Sequence, residues 1–141
     1  MGNCWTQLCR GNGVASNREL KHTSENVHLI ITWDSWDKNI SEACKDNKIV
    51  LANFSATWCN PCRKIAPVYC ELAYKYTSLM FLTVDVDQLA ELAKKWDVKA
   101  TPSFFFLKEG RQIDKIVGGD KEELKKKTAA IADLASKSPD I

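Results

Sequence analysis

A chain of 141 residues, 45% apolar and 27% charged, has room for one buried core and not for two. Twenty basic against eighteen acidic side chains leave a formal charge of +2, so electrostatics gives no reason to expect a nucleic-acid partner. No apolar run approaches the roughly 18 residues that span a bilayer, which excludes a transmembrane segment.

Residues 1–26 carry three glycines and four asparagines without apolar periodicity, predicting a flexible N-terminal arm. The domain is expected over 27–136, with 137–141 as a tail. Val27 to Ile31 predicts a strand. Thr32 is placed to cap a helix whose Trp36, Ile40, Ala43 and Cys44 recur at helical spacing, and Asp46 and Asn47 end it. Ile49 to Ser55 is almost wholly apolar, the pattern of a central strand covered on both faces. A helix follows Cys59-Asn60-Pro61-Cys62, with Ile65, Leu72, Ala73 and Tyr76 on one face and an interruption expected at Pro67.

Met80 to Val84 predicts another strand, and Leu89, Leu92, Ala93 and Trp96 a further helix after Asp87. Ser103 to Leu107 and Gln112 to Val117 flank Lys108-Glu109-Gly110-Arg111 as a β-hairpin. Asp120 and Glu123 form a capping-box-like pair before a last helix bearing Leu124, Ile131 and Leu134, with Lys125 to Lys127 on its solvated face. The order β-α-β-α-β-α-β-β-α predicts an α/β domain whose mixed sheet is flanked by helices.

Six cysteines are the chemically informative residues. The first 26 residues lack the basic and apolar regions of a secretory signal, so a reducing, cytoplasmic setting is expected, where cysteines are buried thiols, metal ligands or redox catalysts. The Cys59-x-x-Cys62 pair sits between a strand and a helix. Unsatisfied N–H groups and partial positive charge at a helix N-terminus stabilise a thiolate, so Cys59 is the expected nucleophile and Cys62, one turn on, the resolving thiol. Pro61 suits the helix start and restricts the pair to a geometry able to close a disulfide.

At these residues the sequence resembles the thioredoxin family, specifically its plant h-type branch. The resemblance is carried by Ala52 to Cys62, Asp85-Val86-Asp87, Ala100-Thr101-Pro102-Ser103-Phe104 and Val117-Gly118-Gly119. It implies a thioredoxin fold and a protein-disulfide reductase that binds no cofactor. It also implies that Pro102 is a cis-proline beside the dithiol, and that Trp58, Thr101, Pro102 and Gly118 line the surface on which an extended target segment docks. The implied electron source is NADPH through thioredoxin reductase, or glutathione through glutaredoxin. The implied partners are disulfide-containing proteins, and a monomer is expected. No G-x-G-x-x-G motif is present for direct nucleotide binding.

Two positions depart from the family pattern. Asn53 stands where most thioredoxins have a buried aspartate, and an amide cannot accept the resolving thiol's proton. Asn60 replaces the usual glycine and is placed to retune the dithiol. In the arm, Met1-Gly2-Asn3-Cys4-Trp5-Thr6 fits the N-myristoylation pattern at Gly2, with Cys4 placed for palmitoylation, hence possible membrane association. Cys4 has a rival role as a third redox thiol. Cys44 is expected as an inert core thiol and Cys70 as an exposed one. A zinc site is disfavoured because no second cysteine or histidine pair exists. A redox-sensitive docking module, a glutathione-linked thiol protein and a disulfide isomerase are the rival readings.

Overall fold

The computed structural model describes residues 26–137. Nine elements follow in chain order: β1 (Val27–Ile30), α1 (Trp33–Lys45), β2 (Ile49–Ser55), α2 (Asn60–Lys75), β3 (Leu79–Asp85), α3 (Ala90–Lys95), β4 (Ser103–Lys108), β5 (Arg111–Val117) and α4 (Lys121–Lys137). The sheet order is β1-β3-β2-β4-β5. β3 pairs parallel with β1 and β2, while β4 pairs antiparallel with β2 and β5. The sheet is therefore mixed, and all seven residues of β2 at its centre are buried.

Alternation along the strands divides the core between two faces. Ile49, Leu51, Leu79, Phe81, Phe104 and Phe106 pack with Ile65, Tyr69 and Leu72 of α2 and Leu124 and Ile131 of α4. Val50, Ala52, Phe54, Leu82, Val84, Phe105 and Leu107 pack with Trp36 of α1 and Leu89, Leu92 and Ala93 around α3. Trp36, Phe54, Trp96 and Phe105 form a chain of ring contacts there, with centroids 5.2 to 6.0 Å apart.

Local chemistry sets the ends of the elements. The Thr32 hydroxyl accepts the Ser35 N–H at 3.1 Å and caps α1, which ends where Asn47 takes a positive φ of 56°. Asp120 accepts the Glu123 N–H at 3.1 Å before α4. The hairpin is tighter than its sequence predicts: each strand gains a residue and the loop is Glu109-Gly110, with φ of 54° and 77°. Two positive φ values match the twist that closes two-residue hairpins.

Three expectations need correction. α2 runs unbroken through Pro67; the N–H that proline lacks falls on an exposed side of the helix, Arg63 and Pro67 both being exposed. Cys44 is exposed and not a core thiol, because the inward stripe of α1 passes through Trp36 and Ala43 and the next residue turns outward. Cys70 is buried, at 2% exposure, because α2 carries a broad inward face spanning Cys62, Ala66, Tyr69, Cys70 and Ala73. Lys127 also differs from its two lysine neighbours, binding both carboxylate oxygens of Asp114 at 3.0 and 3.1 Å.

Candidate active site

β2 delivers the chain to the sheet's edge, and α2 begins five residues later. Cys59 is the N-cap of α2, so its sulfur sits where the helix presents unpaired N–H groups. The Cys62 N–H donates to Cys59 Sγ at 3.3 Å, and Cys59 and Cys62 are joined as a disulfide with Cα atoms 5.2 Å apart. Asn60 and Pro61, exposed, occupy the first two helical positions, where the missing proline N–H leaves no broken bond. Both cysteines are buried, Cys59 at 4% and Cys62 at 1% exposure. Ala56 and Val86 pack against the pair.

Distant segments close around this turn. The Thr101–Pro102 peptide bond is cis. It carries the Thr101 carbonyl oxygen to 3.5 Å from Cys59 Sγ, while the Pro102 carbonyl accepts the Gly118 N–H at 2.8 Å. Gly118 takes a φ of 108°, which side chains rarely adopt. A Cβ on Gly119 would come within 3.4 Å of Pro61 Cβ and 4.0 Å of Pro102 Cγ, so that glycine permits the close approach of three segments. Trp58 is 67% exposed beside the disulfide, and its indole N–H donates to Asp87 Oδ2 at 3.0 Å.

Trp58, Cys59, Pro61, Cys62, Thr101, Pro102 and Gly118 thus meet at one end of the sheet. Asn53 is 3% exposed in β2. Gly2 and Cys4 lie outside the described residues. Sequence reasoning assigned no role to Asp85, Asp87 or Gly119. Asp85 Oδ1 accepts the N–H groups of Asp87 at 2.9 Å and Gln88 at 3.4 Å, holding the turn that aims Asp87 at Trp58. Only the Asp85-Val86-Asp87 run at the end of a strand signalled this turn, and its partner 29 residues away is a tertiary fact. Among the described residues, no three His, Cys, Asp or Glu side chains gather as a metal site, and no helix is long and apolar enough to cross a membrane.

A cysteine pair at a helix N-terminus, joined as a disulfide, defines a thiol–disulfide exchange protein. Residues 27–130 match the Thioredoxin family profile. Thioredoxin H9 of Arabidopsis thaliana is 51% identical over 140 residues, covering 99% of this chain and 98% of that relative. Thioredoxin H4-1 of Oryza sativa subsp. japonica is 59% identical over 110 residues, covering 78% and 84%. The crystal structure of a poplar wild-type thioredoxin h matches with a TM-score of 0.75 at 59% identity, covering 77% of this chain and 97% of that one. The chain belongs to the thioredoxin family and is similar throughout to plant h-type members; it is a dithiol–disulfide oxidoreductase, a reductase of protein disulfides.

Proposed function

We propose that Cys59 attacks the target disulfide and Cys62 resolves the mixed disulfide. The observation that carries this reading is the asymmetry of the pair: Cys59 takes the N-cap position and accepts the Cys62 N–H, while Cys62 lies within the first turn of α2. Cys59 thiolate displaces one target sulfur, which leaves as a thiol after protonation. Cys62 then displaces the second target sulfur from Cys59, leaving the Cys59–Cys62 disulfide and a fully reduced target. Trp58, Thr101, Pro102 and Gly118 form the docking surface, to which the exposed indole and the backbone around Pro102 bring apolar area and polar main-chain groups. Asn60 and Pro61 tune the dithiol from the first turn of α2.

The remaining assignments belong to the same proposal. The catalytic unit is the 27–136 domain, preceded by the arm and followed by a short tail, and it acts as a monomer in the cytoplasm. Electrons come from NADPH through thioredoxin reductase, with glutathione and glutaredoxin as the second donor pair. The Met1-Gly2-Asn3-Cys4 start is read as an acylation signal at Gly2 and Cys4 that ties the protein to a membrane surface, or with Cys4 as a third redox thiol.

Insulin disulfide reduction by the full chain tests the core of this reading. Turnover with NADPH and thioredoxin reductase is expected to fall to the uncatalysed background in Cys59→Ser. Cys62→Ser is expected to accumulate a mixed disulfide with the target. Unchanged turnover in Cys59→Ser would sink the assignment, and turnover only with glutathione and glutaredoxin would move the electron source to that pair.

A further inference from the structure

Cys70 stands apart from the reactive pair. It lies two turns beyond Cys62 on α2, about 12 Å along the helix axis, and is 2% exposed. Its sulfur is nevertheless engaged in a disulfide. Among the described residues no cysteine is left to supply the other half, because Cys59 and Cys62 hold each other and Cys44 is free. Of the six cysteines in the chain, Cys4 and Cys9 are left, both in the N-terminal arm.

The way the arm joins the domain agrees with that count. Asn26, the first described residue, donates through Nδ2 to the Ala73 carbonyl oxygen at 3.1 Å. Ala73 follows Cys70 by less than one turn of the same helix, so the arm enters the domain beside Cys70 and at the far end of α2 from Cys59. Cys4 and Cys9 both lie within 22 residues of Asn26, a stretch of chain that spans up to about 70 Å when extended, so either reaches α2. Closing such a bond is an intramolecular step, favoured over capture of a thiol from solution.

We propose that Cys70 is the attachment point of the N-terminal arm: it forms a disulfide with an arm cysteine, Cys4 or Cys9, and fastens the arm to α2 when the protein is oxidised. The oxidant is a small-molecule disulfide of the glutathione class. The Cys70 thiol and the arm thiol together lose two electrons and two protons and form one S–S bond. The S–S bond of glutathione disulfide breaks, and its two sulfurs take up those electrons and protons as two glutathione thiols. The reverse exchange releases the arm. A sulfur held by Cys70 carries no thiol to acylate or to exchange with Cys59, so with Cys4 as the partner the bond withdraws it from both roles proposed above.

The test is a disulfide map of the full, unacylated chain, oxidised with glutathione disulfide, alkylated in denaturant and cut with trypsin without reduction. Trypsin places Cys4 and Cys9 together in peptide 1–10, Cys44 in 39–45, Cys59 and Cys62 together in 49–63, and Cys70 in 65–75. The expected product is 1–10 joined to 65–75, from protein of monomer mass, and it disappears on reduction. Single Cys4→Ser and Cys9→Ser variants then show which arm sulfur carries the bond. Cys70 recovered alkylated, joined to glutathione or joined to 49–63 overturns the proposal, as does a 1–10 to 65–75 product found only in a dimer.

Cys70→Ala gives a second reading. Brief trypsin treatment of the folded, oxidised wild type is expected to cut after Arg10 and leave peptide 1–10 attached to the domain, whereas the same cut in Cys70→Ala releases it. Release from both proteins overturns the proposal. Insulin reduction by Cys70→Ala is expected to stay within twofold of wild type, so failure of the tether leaves the Cys59–Cys62 cycle standing.

Discussion

The two faces of the sheet are built to different standards. Against α1 and α3, the inward residues of β2 and β3 are apolar from end to end, from Val50 through Phe54 and from Leu82 through Val84, and aromatic rings tile the layer. Against α2, the same two strands are apolar only as far as Leu51 and Phe81, and then polar. The first face does one thing, which is to remove area from water. The second gives up apolar contact at the end where the disulfide sits. The difference marks the end of the sheet that leads to the disulfide: buried polar side chains carry a desolvation cost, and here they gather at that end.

The largest separation of the two faces should come from Phe54→Ala. Phe54 is fully buried and touches Trp36 and Phe105. Its loss is expected to cost about 3–5 kcal/mol in urea unfolding, while the constant for oxidation of the folded protein's Cys59–Cys62 pair by glutathione disulfide stays within twofold of wild type. A large shift in that constant would show that the apolar face also tunes the dithiol.

Tyr69→Phe probes the other face with a smaller change. The lost hydroxyl serves the Leu51 and Leu82 carbonyls, and an expected cost of about 1–3 kcal/mol follows from leaving buried acceptors without it. Burial holds the Tyr69 phenol well above its ordinary pKa. The folded state therefore resists ionisation, and the corresponding stability is whole below about pH 10 and is lost as pH rises toward the folded value. The stability gap between wild type and Tyr69→Phe should narrow in that alkaline range; a gap constant with pH would place the phenol in water.

Much of this contrast was legible in the residues. Ile49–Ser55 could only be a strand buried on both faces, and Cys59 to Cys62 between it and a helical pattern marked the chemistry. The paired positive φ values at Glu109 and Gly110 gave the hairpin a shorter loop than its glycine alone implied. What escaped was set by neighbours distant in sequence. Whether Cys44 or Cys70 turns inward depends on how wide a stripe the sheet covers on each helix, and a 3.6-residue period does not fix that width. The local rule for proline predicts an interruption at Pro67, yet packing along a 16-residue helix carries the backbone across it. Asp87 found Trp58 only through the turn held by Asp85.

The smallest expected effect lies at the margin of the α2 and α4 face, where Lys127 of α4 reaches Asp114 of β5. Both side chains are 34% exposed, so water screens the pair and its contribution should be under about 1 kcal/mol. Burial pushes the Asp114 carboxyl up, but the Lys127 ammonium and the Lys115 backbone N–H outweigh it and hold the group below its ordinary value of 3.8. A depressed carboxylate stabilises the fold above its unfolded pKa, and that contribution disappears as pH falls through the folded value. Lys127→Met should therefore be slightly less stable than wild type in urea at neutral pH and equal to it near pH 2. Equal stability at both pH values would mean that packing alone seats α4 on β5, and that the charged edge contributes nothing to the face holding the dithiol.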